Sequence, residues 1–463
     1  MDPNHVQHQP NDNPGFGVRH KQAIMAFFAQ IVAYSMRVNL SVAIVAMTDN
    51  SSNPNFPELN WDPATKGTIL SSFFWGYMIT QIPAGNIARI YGPKPLLFGS
   101  LLLCGIITIL TPLIALKTGW LIFCFSRVLQ GMFQGCVYPS VNTLLAKWAP
   151  PTEKSRIFSF VFSGTQAGTV LALFISGYLA SSAGGWPSIF YITGSGSIVW
   201  AILWLWLGSN SPDNHPTISD EEKDYIISSL LNSSSNANDL KTPWKEIATS
   251  VPLWALLITH CGQNWGFWTL LTLMPSYMSH ALGFDIKSNG LLSSLPYLSM
   301  FVLSIVLSWL GDYLTVKKIL PISIARKMWN SIAFWGGAVA LVFLAMYGSN
   351  VVVAVTLLTI SVALNGTVYM GYLCNHLDLS PNFAGLLMGI TNGFANVTSI
   401  LAPIVAGFIV NDESNIAQWR IVFYISALVF FLGNSIFILF GSTEVQYWNE
   451  PRKKQGVDNI GAD

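Results

Sequence analysis

The sequence predicts an all-α membrane protein in which twelve transmembrane helices form two pseudo-symmetric six-helix halves. Of its 463 residues, 52% are hydrophobic and only 10% are charged, and the mean hydropathy is +0.47. A soluble domain carries about 25% charged residues, so this chain could not cover its core with polar surface in water. Apolar runs of about 20 residues, each long enough to cross the hydrocarbon core of a bilayer, recur along the whole sequence.

Twelve apolar runs can be placed around one long polar stretch. That stretch, residues 209–251, contains an acidic turn after Ser219 that could begin a short helix, and it is interpreted as a cytosolic linker. The predicted spans are residues 22–47, 68–91, 96–115, 119–142, 156–180, 187–208, 252–277, 289–312, 326–347, 350–375, 382–410 and 419–441. The predicted organisation is an N-terminal cytosolic tail (1–21), an N-terminal half (22–208), the linker (209–251), a C-terminal half (252–441) and a C-terminal cytosolic tail (442–463).

Charge and cysteine content argue against several other classes of protein. The net charge is +1, too small for a strong nucleic-acid-binding field. Five cysteines are scattered through apolar runs with no spacing typical of a metal site or a disulfide framework. Residues 1–18 lack the apolar core of a cleavable signal peptide, so the first apolar run is expected to stay as an anchor. We expect a monomer in the bilayer that is not an enzyme and needs no cofactor or metal.

Lysine and arginine residues are concentrated on one side of the predicted helices. With the N-terminus inside, the inner segments carry about 17 of them and the outer loops carry four, which follows the positive-inside rule. The outer four are Lys66, Lys117, Lys287 and Arg420. Both termini are therefore predicted to be cytosolic. The sequon at Asn50 then falls in the first outer loop and is expected to be glycosylated, whereas the sequon at Asn232 falls in the linker and is not.

The two halves repeat a short pattern at an offset of about 223 residues. Residues 85–94 end the second predicted helix and residues 308–317 end the eighth, and each has a small residue, a charged or polar turn and then a cation. The first copy resembles the loop signature of the major facilitator superfamily: Gly85, Gly92 and Lys94 fit, while Arg89 stands at the usual aspartate position. The second copy keeps the acid as Asp312. The resemblance implies two six-helix halves with substrate bound between them, and gating roles for Arg89, Lys94 and Asp312.

Further strings resemble the superfamily and, within it, one branch. Residues 127–135 of the fourth helix are similar to its arginine-glutamine-glycine motif, which implies a coupling or structural role for Arg127 and Gln134. Longer strings resemble the anion/cation symporter family, which includes sialin, the vesicular glutamate transporters and the sodium–phosphate cotransporters. They are residues 36–45, 73–83, 147–151, 375–378 and 444–449, and the resemblance spans the chain from about residue 22 to 450.

Departures from the individual members point to the less specialised phosphate and organic-anion cotransporters. The vesicular glutamate branch has an arginine at the position of Gln263 and a histidine at that of Leu70. Sialin-like members have glutamates at the positions of Gln130 and Gln134. This chain therefore lacks both the second substrate arginine of glutamate carriers and the helix-four acids linked to proton coupling.

Arg37 is the leading candidate for binding a substrate. An ionisable group inside a membrane helix costs about 2.5–3.5 kcal/mol on insertion scales, and Arg37 lies roughly midway along the first predicted helix. Its guanidinium stays charged and can hold a carboxylate or a phosphate through two hydrogen bonds. The alternative is a structural cation bonded to neighbouring carbonyl groups, and the same alternative applies to Arg127.

Other candidates surround the predicted cavity. His260 lies at the repeat offset from Arg37 and could share the anion or accept a coupling proton, or it could be a buried histidine in a helix interface. Gln263, Tyr77 and Trp265 are further candidate cavity residues, although most aromatic residues here should serve packing. Two residues of the family motif at the inner end of the tenth helix are interpreted as gate or turn contacts; they are His376 and Asp378.

No aspartate or glutamate lies near the middle of any predicted helix. The cavity should therefore be net positive, which favours an anionic substrate. A sodium site would have to use amides, hydroxyls and carbonyls, with Asn39 among the candidates. Because the helix-four acids are absent, sodium is favoured over a proton as the coupling cation.

The sequence thus predicts a symporter that moves a small anion with a cation, in the plasma membrane or in a vesicular or lysosomal membrane. An organellar exporter of sialate-like or glutamate-like anions is the alternative within this class. A membrane receptor that binds a ligand without moving it is the alternative from another class.

Overall fold

The computed structural model describes residues 15–49, 55–150, 153–234, 242–317 and 319–449. Twelve long helical segments run through these ranges, six before the linker and six after it. The helices are α1 (Val18–Thr48), α2 (Pro63–Tyr91), α3 (Pro93–Lys117), α4 (Trp120–Gly135), α5 (Val137–Trp148), α6 (Lys154–Ala180), α7 (Gly185–Leu207), α8 (Asp220–Ser234), α9 (Trp244–Ala248), α10 (Val251–Ser276), α11 (Ile286–Val316), α12 (Ile322–Ser331), α13 (Gly337–Tyr347), α14 (Val351–Asn365), α15 (Tyr372–Leu379), α16 (Ala384–Ile409) and α17 (Ile416–Phe440).

Three of the twelve long segments are interrupted helices. The pair α4 and α5 meets at Cys136, α12 and α13 are joined by a π-helical turn (Ile332–Gly336), and α14 and α15 are joined through a 3₁₀ turn (Gly366–Tyr369). Ten of the twelve segments are long and apolar enough to cross a membrane by length and composition alone. The predicted division into two six-helix halves is confirmed, and the predicted ends lie within a few residues of the observed ones.

Local sequence explains where several helices begin and end. Pro63 and Pro93 occupy first helical positions, where the missing N–H is not needed. Asn350 accepts hydrogen bonds from the N–H groups of Val352 and Val353, which caps α14. Gly92 separates α2 from α3 with φ +88°, and a Cβ there would lie 2.4 Å from Oδ1 of Asn210. The turn between α2 and α3 therefore requires glycine.

Replacing Gly92 with alanine should destabilise the protein by about 1–3 kcal/mol, because the side chain meets both an unfavourable φ and the Asn210 amide. Thermal unfolding of the purified protein in detergent measures the change. Gly99→Ala is the matched control, since a Cβ at Gly99 meets nothing within 4 Å. Equal melting temperatures for both variants would contradict this account of the turn.

We call the end of the molecule that carries the linker the inner end and the opposite end the outer end, following the predicted orientation. The halves touch backbone to backbone near the outer end at two places. A Cβ on Gly67 would lie 2.5 Å from the carbonyl oxygen of Pro403, and one on Gly177 would lie 2.7 Å from Cα of Gly290. Small residues allow such close helix approach. Gly67 and Gly290 stand one repeat offset apart in the sequence, so the repeat supplies one glycine to each contact.

Nearer the middle of the molecule, two polar bonds join the halves. Asn396 of α16 donates to Oε1 of Gln81 on α2 at 3.0 Å, and Gln166 of α6 donates to the hydroxyl of Tyr369 at 2.8 Å. Buried side chains form one large cluster that contains residues of both halves, whereas the inner parts of α1, α3, α5 and α6 pack with the linker helix in a separate cluster. The halves are thus joined in their outer and middle parts.

An ion cluster fixes the linker to the N-terminal half. Arg19, whose side chain is fully buried, contacts Glu222 of α8 at 2.9 Å and Glu153 at the start of α6 at 2.7 Å. Glu222 also accepts from the backbone N–H groups of Val18 and Arg19 at 2.8 and 3.1 Å, so it caps the N-terminus of α1. Ile226 of α8 is buried against the same half. The linker helix and the N-terminal half therefore form one packed unit.

Candidate functional site

Arg37 lies half-buried in the middle of α1, inside a cage of aromatic rings. Its Cζ is 4.5 Å from the ring centroids of both Tyr34 and Tyr77, 5.1 Å from that of Phe73 and 5.8 Å from that of Trp268. Three of these rings belong to the N-terminal half, and Trp268 belongs to α10 of the C-terminal half. Aromatic faces stabilise a cation by cation–π attraction without neutralising it. The cage thus holds Arg37 at the junction of the two halves.

A neutral amide orients this guanidinium. Nε of Arg37 donates to Oε1 of Gln134 on α4 at 3.1 Å, and Nε2 of Gln134 donates to the carbonyl of Ala33 at 2.8 Å. Gln134 is fully buried. Both of its polar atoms are used, so its orientation is set, and the positive charge of Arg37 remains uncompensated.

Arg127 on α4 brings a second buried cation to the same place. Its Nη1 donates to Gln130 Oε1 at 2.5 Å, and its Nη2 reaches the backbone carbonyl of Arg37 at 3.5 Å. The ring of Phe73 contacts both cations, since its centroid lies 5.2 Å from Cζ of Arg127 and 5.1 Å from Cζ of Arg37. Arg127 bonds to the backbone of another helix and also contributes charge to the site, and its predicted coupling or structural role stays a prediction.

The cavity beside these residues is positively charged. Its wall comes from both halves and is formed by Arg37, Val38, Ser41, Leu70, Phe73, Phe74, Arg127, Trp268, Leu271 and Thr272. Across the part of the chain that the structure describes, no carboxylate lies within ion-pair distance of Arg37 or Arg127. Two fixed cations in a half-apolar cavity attract a counter-charge, and the geometry suits an anion that enters it.

Replacing Gln134 with glutamate should make anion uptake depend on protons. The new carboxylate would stand about 3 Å from Nε of Arg37 and pair with it, so anion binding would require the carboxyl group to be protonated. Uptake by the variant should be low at neutral pH and rise as the pH falls. Gln134→Leu is the control, because it removes the same hydrogen bond without adding a charge. A flat pH profile for the Gln134→Glu variant would contradict the proposed proximity of Gln134 and the anion.

Asn39 lies two residues after Arg37 and is fully buried. Its Nδ2 donates to the hydroxyl of Thr193 on α7 at 3.0 Å, while its Oδ1 has no hydrogen-bond partner among the residues that the structure describes. An unpartnered buried amide oxygen is costly and is a suitable ligand for a hard cation. The amide oxygen of Asn39 is thus available two residues along α1 from Arg37, the predicted anion-binding residue.

His260 belongs to a polar network within the C-terminal half. Its Nδ1 lies 3.1 Å from the hydroxyl of Thr391 on α16, and Nε2 of His376 lies 2.8 Å from the same hydroxyl. Nδ1 of His376 faces the carbonyl of Leu373 at 3.1 Å; a carbonyl only accepts, so this nitrogen carries the hydrogen. The network connects α10, α15 and α16. Among the contacts that the structure gives, His260 pairs with His376 rather than with Arg37.

Gln263 also bonds within the C-terminal half. Its Nε2 donates to Oδ1 of Asn365 at 2.5 Å. Within the described part of the chain, Oε1 of Gln263 and the indole nitrogen of Trp265 are both buried without a hydrogen-bond partner. The tryptophan of α10 whose ring lies beside Arg37 is Trp268, and the predicted cavity role of Trp265 stays a prediction.

The predicted gate residues fall into two groups. Asp378 forms a two-pronged ion pair with Arg326 of α12 at 2.7 and 3.2 Å, and Lys94 donates its backbone N–H to Asn210 at 2.8 Å. The first contact lies inside the C-terminal half and the second joins the N-terminal half to the start of the linker, so neither contact bridges the two halves. The backbones of Arg89 and Asp312 lie in α2 and α11, and their side chains lie outside the described part of the structure, as does the predicted glycosylation site Asn50.

Comparison with known proteins places this architecture in a family. The sequence pattern of the Major Facilitator Superfamily matches residues 26–392. The chain belongs to the Major Facilitator Superfamily. Within this superfamily the chain is 41% identical to a Drosophila melanogaster protein named "Putative inorganic phosphate cotransporter", over 94% of this chain and 87% of the relative. It is 39% identical to human sialin, over 93% and 90%, and 36% identical to human vesicular glutamate transporter 2, over 95% and 76%.

Solved structures show the same fold for this transporter. The inward open xylose transporter XylE from E. coli aligns with a TM-score of 0.70 at 14% identity and covers 91% of this chain and 96% of its own. A bacterial homologue of the human lysosomal transporter Spinster, solved in an inward-facing and unoccupied conformation, aligns with a TM-score of 0.69 at 13% identity and covers 93% of this chain and 99% of its own. The resemblance to the anion/cation symporters is confirmed by the relatives, and the predicted fold is confirmed by these structures. The chain is a transporter, not an enzyme.

Sequence reasoning missed several residues of the transporter's central site. The positions of Phe73, Trp268 and Tyr34 around Arg37 were not predicted. Tyr34 lies one turn before Arg37 on the same helix, so its spacing was an available signal. Thr391 carried no signal, because its role depends on three helices meeting.

Proposed function

We propose that this transporter moves a small anion, phosphate or a carboxylate, together with a cation by alternating access between its two halves. One observation carries the proposal: Arg37 stands at the junction of the halves, oriented by a neutral amide, with no described carboxylate paired to it. A bound anion supplies the missing charge. The names of two relatives, an inorganic phosphate cotransporter and a vesicular glutamate transporter, support an anionic cargo.

Sodium is the cation that we favour for coupling. Gln130 and Gln134 occupy the helix-four positions where glutamates would carry a proton, and both amides are committed to arginines. The unpartnered Oδ1 of Asn39 supplies one oxygen of the kind that binds sodium. His260 and His376 are the groups that would support proton coupling instead.

Flux measurements on purified protein in liposomes test the proposal. Uptake of phosphate, glutamate, sialate and urate is measured with an imposed sodium gradient, with an imposed pH gradient and with neither. We expect saturable uptake of at least one of these anions that a sodium gradient accelerates. Uptake driven only by the pH gradient would identify a proton rather than sodium as the coupling ion. Uptake that depends on neither gradient would identify the protein as a facilitator.

The competing functions give different results in the same experiment. A ligand-binding receptor would bind an anion in equilibrium dialysis and show no flux. An organellar exporter would transport the anion, and imaging of the tagged protein would find it in vesicular or lysosomal membranes rather than in the plasma membrane.

A further inference from the structure

An ion cluster bridges the two halves at the outer end of the molecule. Nζ of Lys66, in the first turn of α2, lies 2.5 Å from Oε2 of Glu413 in the connection between α16 and α17. Nε2 of His280, in the turn after α10, lies 3.3 Å from the same oxygen. Lys66 belongs to the N-terminal half, and the other two residues belong to the C-terminal half. We call these three residues the outer clamp.

The outer clamp lies beside a tight helix contact. Gly67 follows Lys66 directly, and a Cβ on Gly67 would meet the backbone of Pro403 and Gly407. The carbonyl of Glu413 accepts from the indole N–H of Trp419 at 2.8 Å, and Trp419 is buried, so the acid is held in place. Side chains of all three clamp residues are at least four-fifths buried. Outward opening of the cavity requires α2 and α16 to separate here, which breaks the bond between Lys66 and Glu413.

The second outer contact between the halves is different. Gly177 and Gly290 touch there in the same way, but the repeat counterpart of Lys66 is Asn289, whose Nδ2 donates within its own half to the carbonyl of Pro275 at 2.7 Å. At this contact Nζ of Lys287 on α11 lies 5.7 Å from the ring centroid of Tyr178 on α6, so a cation–π contact joins the halves there. Among the described residues, an ion pair with a carboxylate therefore bridges the first glycine contact and not the second, although the repeat offset relates them.

We propose that the outer clamp is a proton-sensitive gate: it holds the halves together while His280 is neutral, and uptake of a proton by His280 from the outer side favours opening. This inference rests on the proposed alternating access. His280 is placed for the role, because its Nε2 approaches the oxygen that Lys66 already occupies, yet makes no hydrogen bond with it. A proton on this ring would put two cations on one carboxylate oxygen.

The direction of the effect follows from linkage. Burial lowers the pKa of His280 from its ordinary value of 6.5, and Lys66 lowers the pKa further, whereas Glu413 and Asp49 act in the opposite direction. In an open clamp the ring meets water, and its pKa returns toward the ordinary value. The open state then binds the proton more tightly than the closed state. Acidification from neutral pH through 6.5 and below therefore stabilises the open state.

Distances between the outer ends of the two halves test the proposal directly. Spin labels are placed on Asn60→Cys and Asn411→Cys, two exposed positions in opposite halves, in the full-length chain with its five native cysteines replaced. Double electron–electron resonance in lipid nanodiscs then measures the separation at about pH 7.5 and about pH 5.5. We expect the long-distance population to increase about threefold or more at the lower pH.

Substitutions in the outer clamp distinguish the roles of its residues. His280→Gln should abolish the pH response, and His215→Gln, which changes a histidine of the inner linker, should not. Glu413→Gln should raise the long-distance population at both pH values. If that variant folds poorly, the charge exchange Lys66→Glu with Glu413→Lys offers a second arm and should keep the halves together at neutral pH.

Two results would overturn the gate: an unchanged pH response in His280→Gln, or a long-distance population that falls on acidification. The measurement needs no substrate. If the protein takes up none of the anions but the distance still responds to pH, the proposed function is wrong and the proposed gate stands. If the protein takes up an anion but the distance does not respond to pH, only the proposed gate is wrong.

Discussion

Replacement of Arg37 with alanine should reduce anion uptake about 100-fold or more, because removing one partner of a desolvated charge pair costs about 2–5 kcal/mol. Arg37 supplies the positive charge at the junction of the halves, and the aromatic rings around it cannot replace that charge. Gradient-driven uptake into liposomes, corrected for the amount of folded protein, measures the loss.

Two further variants test why uptake is lost. Arg37→Lys keeps the charge but loses the planar fork and the geometry of the bond to Gln134, so it should retain a small part of the uptake with a raised KM. Lys117→Ala removes an exposed cation at the outer end of α3 and should leave uptake unchanged. Normal uptake by Arg37→Ala would disprove the proposed anion site.

Replacement of Arg19 with methionine should destabilise the protein by about 3–5 kcal/mol, because two buried carboxylates would lose their common cation. Thermal unfolding in detergent measures this effect. The double variant Arg19→Met with Glu222→Gln should recover part of the stability, since one of the two carboxylates that lose the guanidinium is made neutral.

The comparison pair for this cluster is Lys223 with Asp213. These residues are 3.3 Å apart, and the side chains of Lys223 and Asp213 are 34% and 63% exposed, so solvent screens the pair and Lys223→Met should change the stability little. An equal loss of stability for Arg19→Met and Lys223→Met would show that burial of the first cluster does not matter.

Composition and periodicity were sufficient to predict most of the fold. Long apolar runs require membrane helices, and the polar stretch at 209–251 marks the junction of the halves. The π turn at Ile332–Gly336 and the 3₁₀ turn at Gly366–Tyr369 were not predictable, because a local change of helical pitch leaves the apolar character of a run unchanged. The first helix begins at Val18 rather than near residue 22, since Glu222, distant in sequence, caps its N-terminus.

The candidate site was predictable in its charge and not in its contacts. A lone arginine in mid-helix is costly, and this cost identified Arg37 before its surroundings were known. Side-chain partners depend on how helices rotate against one another, which the sequence does not specify. This is why Trp268 rather than Trp265 reaches the guanidinium, and why His260 meets His376 through Thr391.

The uncompensated arginines have an electrical consequence. In a carrier that alternates between two faces, the empty site presents the two positive charges of Arg37 and Arg127 first to one compartment and then to the other, whereas a site filled by a dianion and one sodium ion presents a single net positive charge. Moving one elementary charge through the full membrane potential is worth about 2.3 kcal/mol per 100 mV. Membrane voltage should therefore affect the return of the empty carrier more strongly than the movement of the loaded carrier. In a polarised membrane, the voltage then sets the turnover rate through this return step.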